Sequence, residues 1–458
     1  MELKIILMTW KSIKKCMQKY RDFFKGKDIT VMGLGLLGRG IGYTKFLAEY
    51  GAILTVTDLK SSTELKSSLK ELQDYKKIKF VFGKHRLEDF KNKDIIIKSA
   101  GVPLDSIYIK EARKNKIPIE MDVSLFAKLA PKVTIIGITG TRGKSMTTQL
   151  IYEILKKNER FLNKKVFIGG NVRGVATLPL LEKIKVGDIV VCELDSWQLQ
   201  GFGDSKISPH ISVFTSFMPD HMNYYKNSMK KYFNDKANIF KYQTKNDILI
   251  IRQGVSKLIP KNIKSKLIIT NAKDVNKYQF NIPGIHNREN LACAVEVAKQ
   301  FKIPDINIAK VIKNFKGLDG RLQYLRTIKG VKIYNDNNAT TPEATIAGIE
   351  ALTGGNMKDI VLICGGNDKK LSLKNFVQVL DKNCKTIITI PGSGTNELKK
   401  FIKDMIEKKN LKEATITAVK LAEKGDVIIF SPAFSSFSQY NNEYERGDEF
   451  IKIIGKLK

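Results

Sequence analysis

The chain has 458 residues, of which 43% are hydrophobic and 27% charged. That balance excludes a disordered polypeptide, and the length suits about three domains. The formal charge of +33 raises the question of a polyanionic partner, but the basic residues are scattered, as where Lys66 and Lys70 alternate with Leu65, Leu69 and Leu72 at helical spacing, so no nucleic-acid partner is expected.

Residues 1–25 read as a basic N-terminal extension. Its apolar stretch Leu3–Trp10 is too short to span a bilayer and lacks an obvious small-residue cleavage site; stable membrane insertion is not expected. The first domain, 26–129, opens with an apolar strand, Asp28–Met32, the turn Gly33-Leu34-Gly35-Leu36-Leu37-Gly38 and a helix. A second strand, Ile53–Thr57, leads to Asp58, and a third follows at Asp94–Lys98. Strand, glycine turn, helix and an acid about 20 residues on make a dinucleotide fingerprint. Taken alone, it suggests a nicotinamide dehydrogenase.

Ala130-Pro131-Lys132 marks the start of a central domain, 130–318. Its first strand, Val133–Thr139, runs into Gly140-Thr141-Arg142-Gly143-Lys144-Ser145 and then a helical run, Thr147–Lys156. This is the physics of a phosphate loop: glycines let backbone N–H groups point at phosphate oxygens, and the helix N-terminus adds positive potential. Lys144 can reach the β- and γ-phosphates, and the Ser145 hydroxyl can ligate Mg²⁺. Glu193 ends the apolar strand Asp188–Leu194, at the carboxyl edge where α/β sheets bind ligands, and is placed for Mg²⁺. His221 follows the strand Ile211–Phe217 in a Pro219-Asp220-His221-Met222 turn.

After a strand at Asp247–Ile251, Gly317-Leu318-Asp319-Gly320-Arg321 leads into a third domain, 319–458, with strands at Val331–Asn335, Asp359–Cys364, Thr386–Ile390 and Asp426–Phe430. Most strands are continuous apolar runs, the mark of parallel sheets covered on both faces. The expected fold is α/β in three domains: an N-terminal Rossmann-like domain, a central P-loop ATPase-type parallel sheet and a C-terminal Rossmann-like domain. Cys192 and Cys364 sit in such strands as buried thiols, and Cys16, Cys293 and Cys384 add no C-x-x-C pair. That fits a reducing cytosol, and a cytoplasmic monomer is expected. His85 and His210 read as structural.

The spelling Thr139-Gly140-Thr141-Arg142-Gly143-Lys144-Ser145 resembles the ATP loop of the Mur ligase family, and the resemblance continues in order down the chain. Gly169-Gly170-Asn171 resembles the family's G-G-N, Glu193–Leu199 its E-L-S-S-F-Q-L, Asp220-His221-Met222 its D-H-M, His286-Asn287 its H-N, Gly320-Arg321 its interdomain arginine, and Asn335-Asp336 the opening of its N-D-S-K-A-T. Lys236 stands where the family carries a carbamylated lysine. The resemblance implies an ATP-dependent carboxylate–amine ligase with two Mg²⁺ ions. Lys144, Glu193, His221 and Lys236 are then catalytic, with Ser145, Glu193, His221 and carbamylated Lys236 as metal ligands. ATP falls to Gly140–Met146, including Thr141 and Arg142, with Asn287 on adenine and Arg321 and Asp336 from the C-terminal side.

In the same way the glycine turn resembles the uridine diphosphate site of the family's D-glutamate-adding branch. That assigns Gly35, Leu36, Leu37, Asp58, Lys60, Ser99, Asn171 and Gln198 to the UDP-linked substrate. Gly365–Lys369 and Ser431–Ser436 resemble that branch's G-G-D-G-K and S-P-A-C-A-S, which assigns Thr340, Lys369, Ser436 and Phe437 to the incoming amino acid. The implied substrates are UDP-N-acetylmuramoyl-L-alanine, D-glutamate and ATP. The match departs at Leu37, Asp195, Asn338 and Glu443, where the branch carries Thr, Ser, Lys and an aromatic residue. The alternatives are a Mur-family ligase adding another amino acid and a basic P-loop ATPase acting on nucleic acid, which steep salt dependence of DNA or RNA binding would reveal.

Overall fold

The computed structural model describes residues 18–36, 38–353, 358–436, 440 and 443–457. Leu37, Phe437, Cys16 and the side chain of Glu443 lie outside the described residues. Within them the chain forms two compact units. One runs up to Asp274 and includes Asn290–Val311; the other is Val275–Glu289 with Ile312–Lys458.

The first unit carries two sheets. In one, β1 (Asp28–Met32), β2 (Ile53–Asp58), β3 (Lys79–Phe82), β4 (Ile95–Lys98) and β5 (Ile119–Glu120) lie in the order β3-β2-β1-β4-β5. In the other, β6 (Thr134–Thr139), β7 (Val166–Gly170), β8 (Ile189–Glu193), β9 (Ile211–Phe214), β10 (Ile248–Arg252) and β11 (Lys266–Thr270) are ordered β11-β10-β9-β6-β8-β7. Every pairing in both is parallel. The central strands are buried along their length, as β8 and β9 are, because helices cover both faces; hence their unbroken apolar sequences. One apolar cluster joins the two sheets' layers, from Val31 and Phe46 through Phe126 and Leu178 to Leu199 and Phe214.

The expected extension to residue 25 ends earlier. Residues 18–24 are helical, and Tyr20 and Phe24, four apart on one face, are buried in that cluster. Their rings lie 6.4 Å from Tyr50 and 5.7 Å from Phe46.

The second unit holds β12 (Gln323–Ile328), β13 (Val331–Asn335), β14 (Ile360–Gly365), β15 (Cys384–Ile390), β16 (Ile406–Glu407) and β17 (Val427–Phe430), ordered β12-β13-β17-β14-β15-β16. This sheet is mixed: β12 folds back antiparallel on β13, while the rest is parallel. Parallel neighbours need a crossover, but a two-residue turn suffices for the β12–β13 hairpin.

Candidate active site

The phosphate loop follows β6 and ends at the helix Lys144–Lys157, with Gly143 as N-cap. Gly140 and Gly143 have φ of 147° and 88°, and an added Cβ would fall 2.0 Å from Thr215 Oγ1 and 2.3 Å from Asn290 Oδ1 respectively. No other residue fits there. The loop is pinned from the next strand: Arg142 N–H donates to Ser216 Oγ (2.8 Å), and Thr215 Oγ1 and Ser216 Oγ donate to Arg142 O (2.5 and 2.9 Å). Thr141 is buried, its hydroxyl donating to Met218 O (3.1 Å), and the Met146 side chain is buried too. Thr141 N–H is also engaged, donating to Ser216 O (2.7 Å), so Thr141 shapes the loop, and what Met146 can offer a phosphate is its backbone N–H.

Two lysines converge on one carbonyl. Lys144 Nζ donates to Gly140 O (3.0 Å) and Thr141 O (3.1 Å), and Lys236 Nζ donates to Gly140 O (2.8 Å). Lys236 lies in the helix Met229–Ala237 and is 1% exposed. Burial, with the Lys144 charge beside it, pushes its ammonium well below the ordinary lysine value, so it tends to the neutral amine. Tyr232, which the sequence reading missed, joins the parts: its ring lies 4.9 Å from Lys236 Nζ and 6.4 Å from the His221 ring, and its hydroxyl is 3.3 Å from Thr141 Oγ1.

His221 packs 4.6 Å from the Trp197 ring, at φ 54°, with its N–H held by Asp220 Oδ1 (3.0 Å). Burial lowers its pKa, and Lys144 and Lys236 add to that against the opposing Asp220 charge; the neutral imidazole is the form that binds a metal. Glu193 ends β8 in register with Ile138 of β6 and Gly170 of β7, and its carbonyl accepts Asn171 N–H (2.7 Å). Asp195 N-caps the helix Ser196–Asp204 by accepting Gln198 N–H (2.7 Å), a role that the family's serine fills equally well.

The residues present fit a nucleotide triphosphate and a hard cation: glycine-shaped backbone, Lys144, the Ser145 hydroxyl, the Glu193 carboxylate and a neutral His221. Asn290, a further missed residue, is 2% exposed, and its Oδ1 lies against the loop without a hydrogen-bond partner. Its signal was the spacing of Asn287 and Asn290, three apart on the helix Ile285–Gln300. Asn287 Nδ2 donates to Pro283 O (2.7 Å).

In the first sheet the glycine turn follows β1, and Asp58 ends β2. Asp58 Oδ2 accepts Gly35 N–H and its Oδ1 accepts Lys60 N–H, both at 3.0 Å, so this acid fixes the turn. Gly35, Leu36, Ser99 and Gln198 line one cavity of about 210 Å³. His210 Nδ1 accepts Ile135 N–H (3.2 Å) and His85 Nδ1 meets Thr57 Oγ1 (2.8 Å).

In the second unit three loops meet at the carboxyl edge of the sheet. Ala433 N–H donates to Ala339 O (2.9 Å), and Asn367 and Ser435 exchange backbone hydrogen bonds (2.9 and 3.0 Å). This brings Lys369 Nζ to 3.0 Å from Thr340 Oγ1, near the loop carrying buried Ser436. Asp336 is buried; Oδ1 accepts Leu322 N–H (3.0 Å) and Oδ2 accepts the Ser431 hydroxyl (2.9 Å). Asn338, in the family's lysine position, fastens the Arg321 turn instead: its N–H donates to Gly320 O (2.9 Å) and its Nδ2 to Asp319 O (3.2 Å). Arg446, fully buried and foreseen by nothing in the sequence reading, donates to Asn337 Oδ1 (2.8 Å) and Asn337 O (3.2 Å).

Family models match all three regions: the Mur ligase MurD-like N-terminal domain over residues 27–120, the Mur ligase middle domain over 138–256 and the Mur ligase glutamate ligase domain over 320–434. The chain belongs to the Mur ligase family and is an ATP-dependent amide ligase acting on small molecules. Relatives named UDP-N-acetylmuramoylalanine–D-glutamate ligase include one from Borreliella burgdorferi (strain ZS7), 35% identical over 95% of this chain and 99% of that one. Another, from Roseiflexus sp. (strain RS-1), is 31% identical over 94% and 98%. Among solved structures, the fold is shared with a UDP-N-acetylmuramate–alanine ligase from Thermotoga maritima (TM-score 0.59, 19% identity, 94% of this chain and 100% of that chain). It is shared also with a MurF ligase from Thermotoga maritima in complex with ADP (TM-score 0.57, 16%, 94% and 95%).

Proposed function

We propose that this enzyme joins D-glutamate to UDP-N-acetylmuramoyl-L-alanine in the cytoplasm, as a step of peptidoglycan precursor synthesis. The substrate carboxylate takes the γ-phosphoryl group of ATP, giving an acyl phosphate and ADP. The D-glutamate amine then attacks the acyl carbon, phosphate leaves, and the amine loses a proton. The convergence of Lys144 and buried Lys236 on Gly140 O carries this reading, and the names of the relatives support the choice of amino acid.

Lys144 and the loop N–H groups hold the transferring phosphoryl group. Ser145, Glu193, His221 and a carbamate on Lys236 would hold Mg²⁺, which when bound screens phosphate charge. A neutral Lys236 amine is the form that adds CO₂. A carbamate on Lys236 would add an oxygen ligand beside Glu193 and His221. Lys369, Thr340 and Ser436 hold the incoming amino acid. The protein acts as a monomer on small molecules, without a nucleic-acid partner.

A phosphate-release assay tests this. Release needs ATP, D-glutamate and UDP-N-acetylmuramoyl-L-alanine together. Equal release with L-lysine in place of D-glutamate would favour a different amino acid, a reading for which Asn338 in the lysine position already speaks.

A further inference from the structure

Arg39 is the first residue of the helix Arg39–Glu49 that follows the first glycine turn. It therefore stands at the end of the helix whose N–H groups favour anions. It lines the same cavity as Gly35, Leu36, Ser99, Asp122 and Gln198. Gln198 is 0% exposed; its Oε1 accepts Asp195 N–H (3.2 Å), while its Nε2 has no partner. A buried amide donor without a partner, on a residue that lines a cavity, calls for an acceptor.

The charges decide which acceptor. Asp122 is the carboxylate of the cavity, and its hydrogen bonds come from backbone N–H groups and not from Arg39. Its Oδ2 accepts Thr177 N–H (3.1 Å), and it occupies the first turn of the helix Asp122–Leu129, where the free N–H groups stabilise an anion. Arg39 feels the Asp122 charge but makes no hydrogen bond and no ion pair among the described residues. Lys98, 2% exposed, also lines the cavity, donating to Val102 O (3.1 Å). Two basic side chains thus line a cavity whose one carboxyl is pushed up by burial, toward the neutral form.

We propose that Arg39 is a cationic ligand of the substrate's diphosphate, with the Gln198 amide as the donor on the far wall. This rests on reading the first domain as the site of the UDP-linked substrate. The guanidinium suits the task because its fixed fork matches two phosphate oxygens.

Titration of UDP and of uridine into the full chain separates the claims, with melting temperature and ATP affinity checking that each variant is folded. In Arg39→Ala, UDP binding falls about tenfold or more, as for loss of a charged hydrogen bond, while uridine binding is unchanged. Arg39→Lys recovers part of the loss, and Asp122→Asn tightens UDP binding. UDP affinity in Arg39→Ala equal to the parent, or an equal loss for uridine, overturns the Arg39 assignment alone. If the parent takes up ATP but not UDP, the reading of the first domain fails and the Arg39 assignment goes with it. Should Arg39→Ala not fold, Arg39→Lys and Asp122→Asn carry the test, and unchanged UDP affinity in both refutes it.

Discussion

The two glycine turns of the first unit use the same backbone device, a strand end, a tight turn and a helix N-terminus, and differ in what surrounds it. At Gly140–Gly143 two lysines meet on a loop carbonyl, and hydroxyls of the next strand grip the loop from beneath. At Gly33–Gly38 a carboxylate, Asp58, holds two backbone N–H groups. On the proposed function, the first surrounds a triphosphate with cations where charge moves during reaction. The second, whose cavity Arg39 and Lys98 also line, would on that reading hold a diphosphate that only has to stay put. Glycine spacing alone does not tell these apart, which is why the first turn in isolation reads as a dehydrogenase's; the side chains brought in by neighbouring strands do.

The largest break in this comparison comes from Lys144→Ala. Phosphate release should fall roughly 10²–10³-fold, as when one preorganised donor to a developing charge is lost, while UDP affinity measured by calorimetry stays within twofold (about 0.4 kcal/mol). Lys236→Ala should lose about 100-fold, and a short-chain carboxylate added to the assay should restore part of it; undiminished turnover would remove the carbamate. Gly143→Ala forces a side chain into φ 88° against Asn290, costing about 1–3 kcal/mol, read as a lower melting temperature together with weaker ATP binding. Asp58→Asn removes one of two acceptors on the other turn and should weaken UDP binding about tenfold.

A pH effect lies in the second unit. Burial pushes the Asp336 carboxyl up to about 7, so the folded state holds its proton more tightly than the unfolded chain does. Its contribution is full below the ordinary carboxylate pKa and is lost as pH rises through about 7. Relative to Asp336→Asn, the parent should lose stability between about pH 4 and pH 7; parallel melting curves across that range would refute the protonated form.

The fold was legible where strands lie inside a sheet and illegible at the rims. Asp28–Met32 was read to the residue, because a strand flanked on both sides and covered on both faces is apolar almost throughout; Val331–Asn335 was read to the residue as well, although its burial alternates and Lys332 is exposed. The strands missed, β3, β5, β7, β11, β12 and β16, are the two edges of each sheet. β12 has alternating, half-exposed positions, β11 shows Leu267 and Ile269 to solvent, and β5 and β16 have two residues each. Edge strands lack the burial that writes itself into sequence. The site follows the same logic. Lys144, Glu193 and His221 lie in local motifs, whereas Tyr232, Asn290 and Arg446 do their work through packing between distant segments. Tyr20 and Phe24 were hidden by the lysines and arginine around them.

The central claim is that each glycine turn serves its own phosphate ligand. Titrating ATP and UDP separately into the parent, Gly143→Ala and Asp58→Asn tests it most directly. The account predicts a crossed result, with Gly143→Ala weakening ATP alone and Asp58→Asn weakening UDP alone. Either variant weakening both ligands equally, or neither, would contradict it.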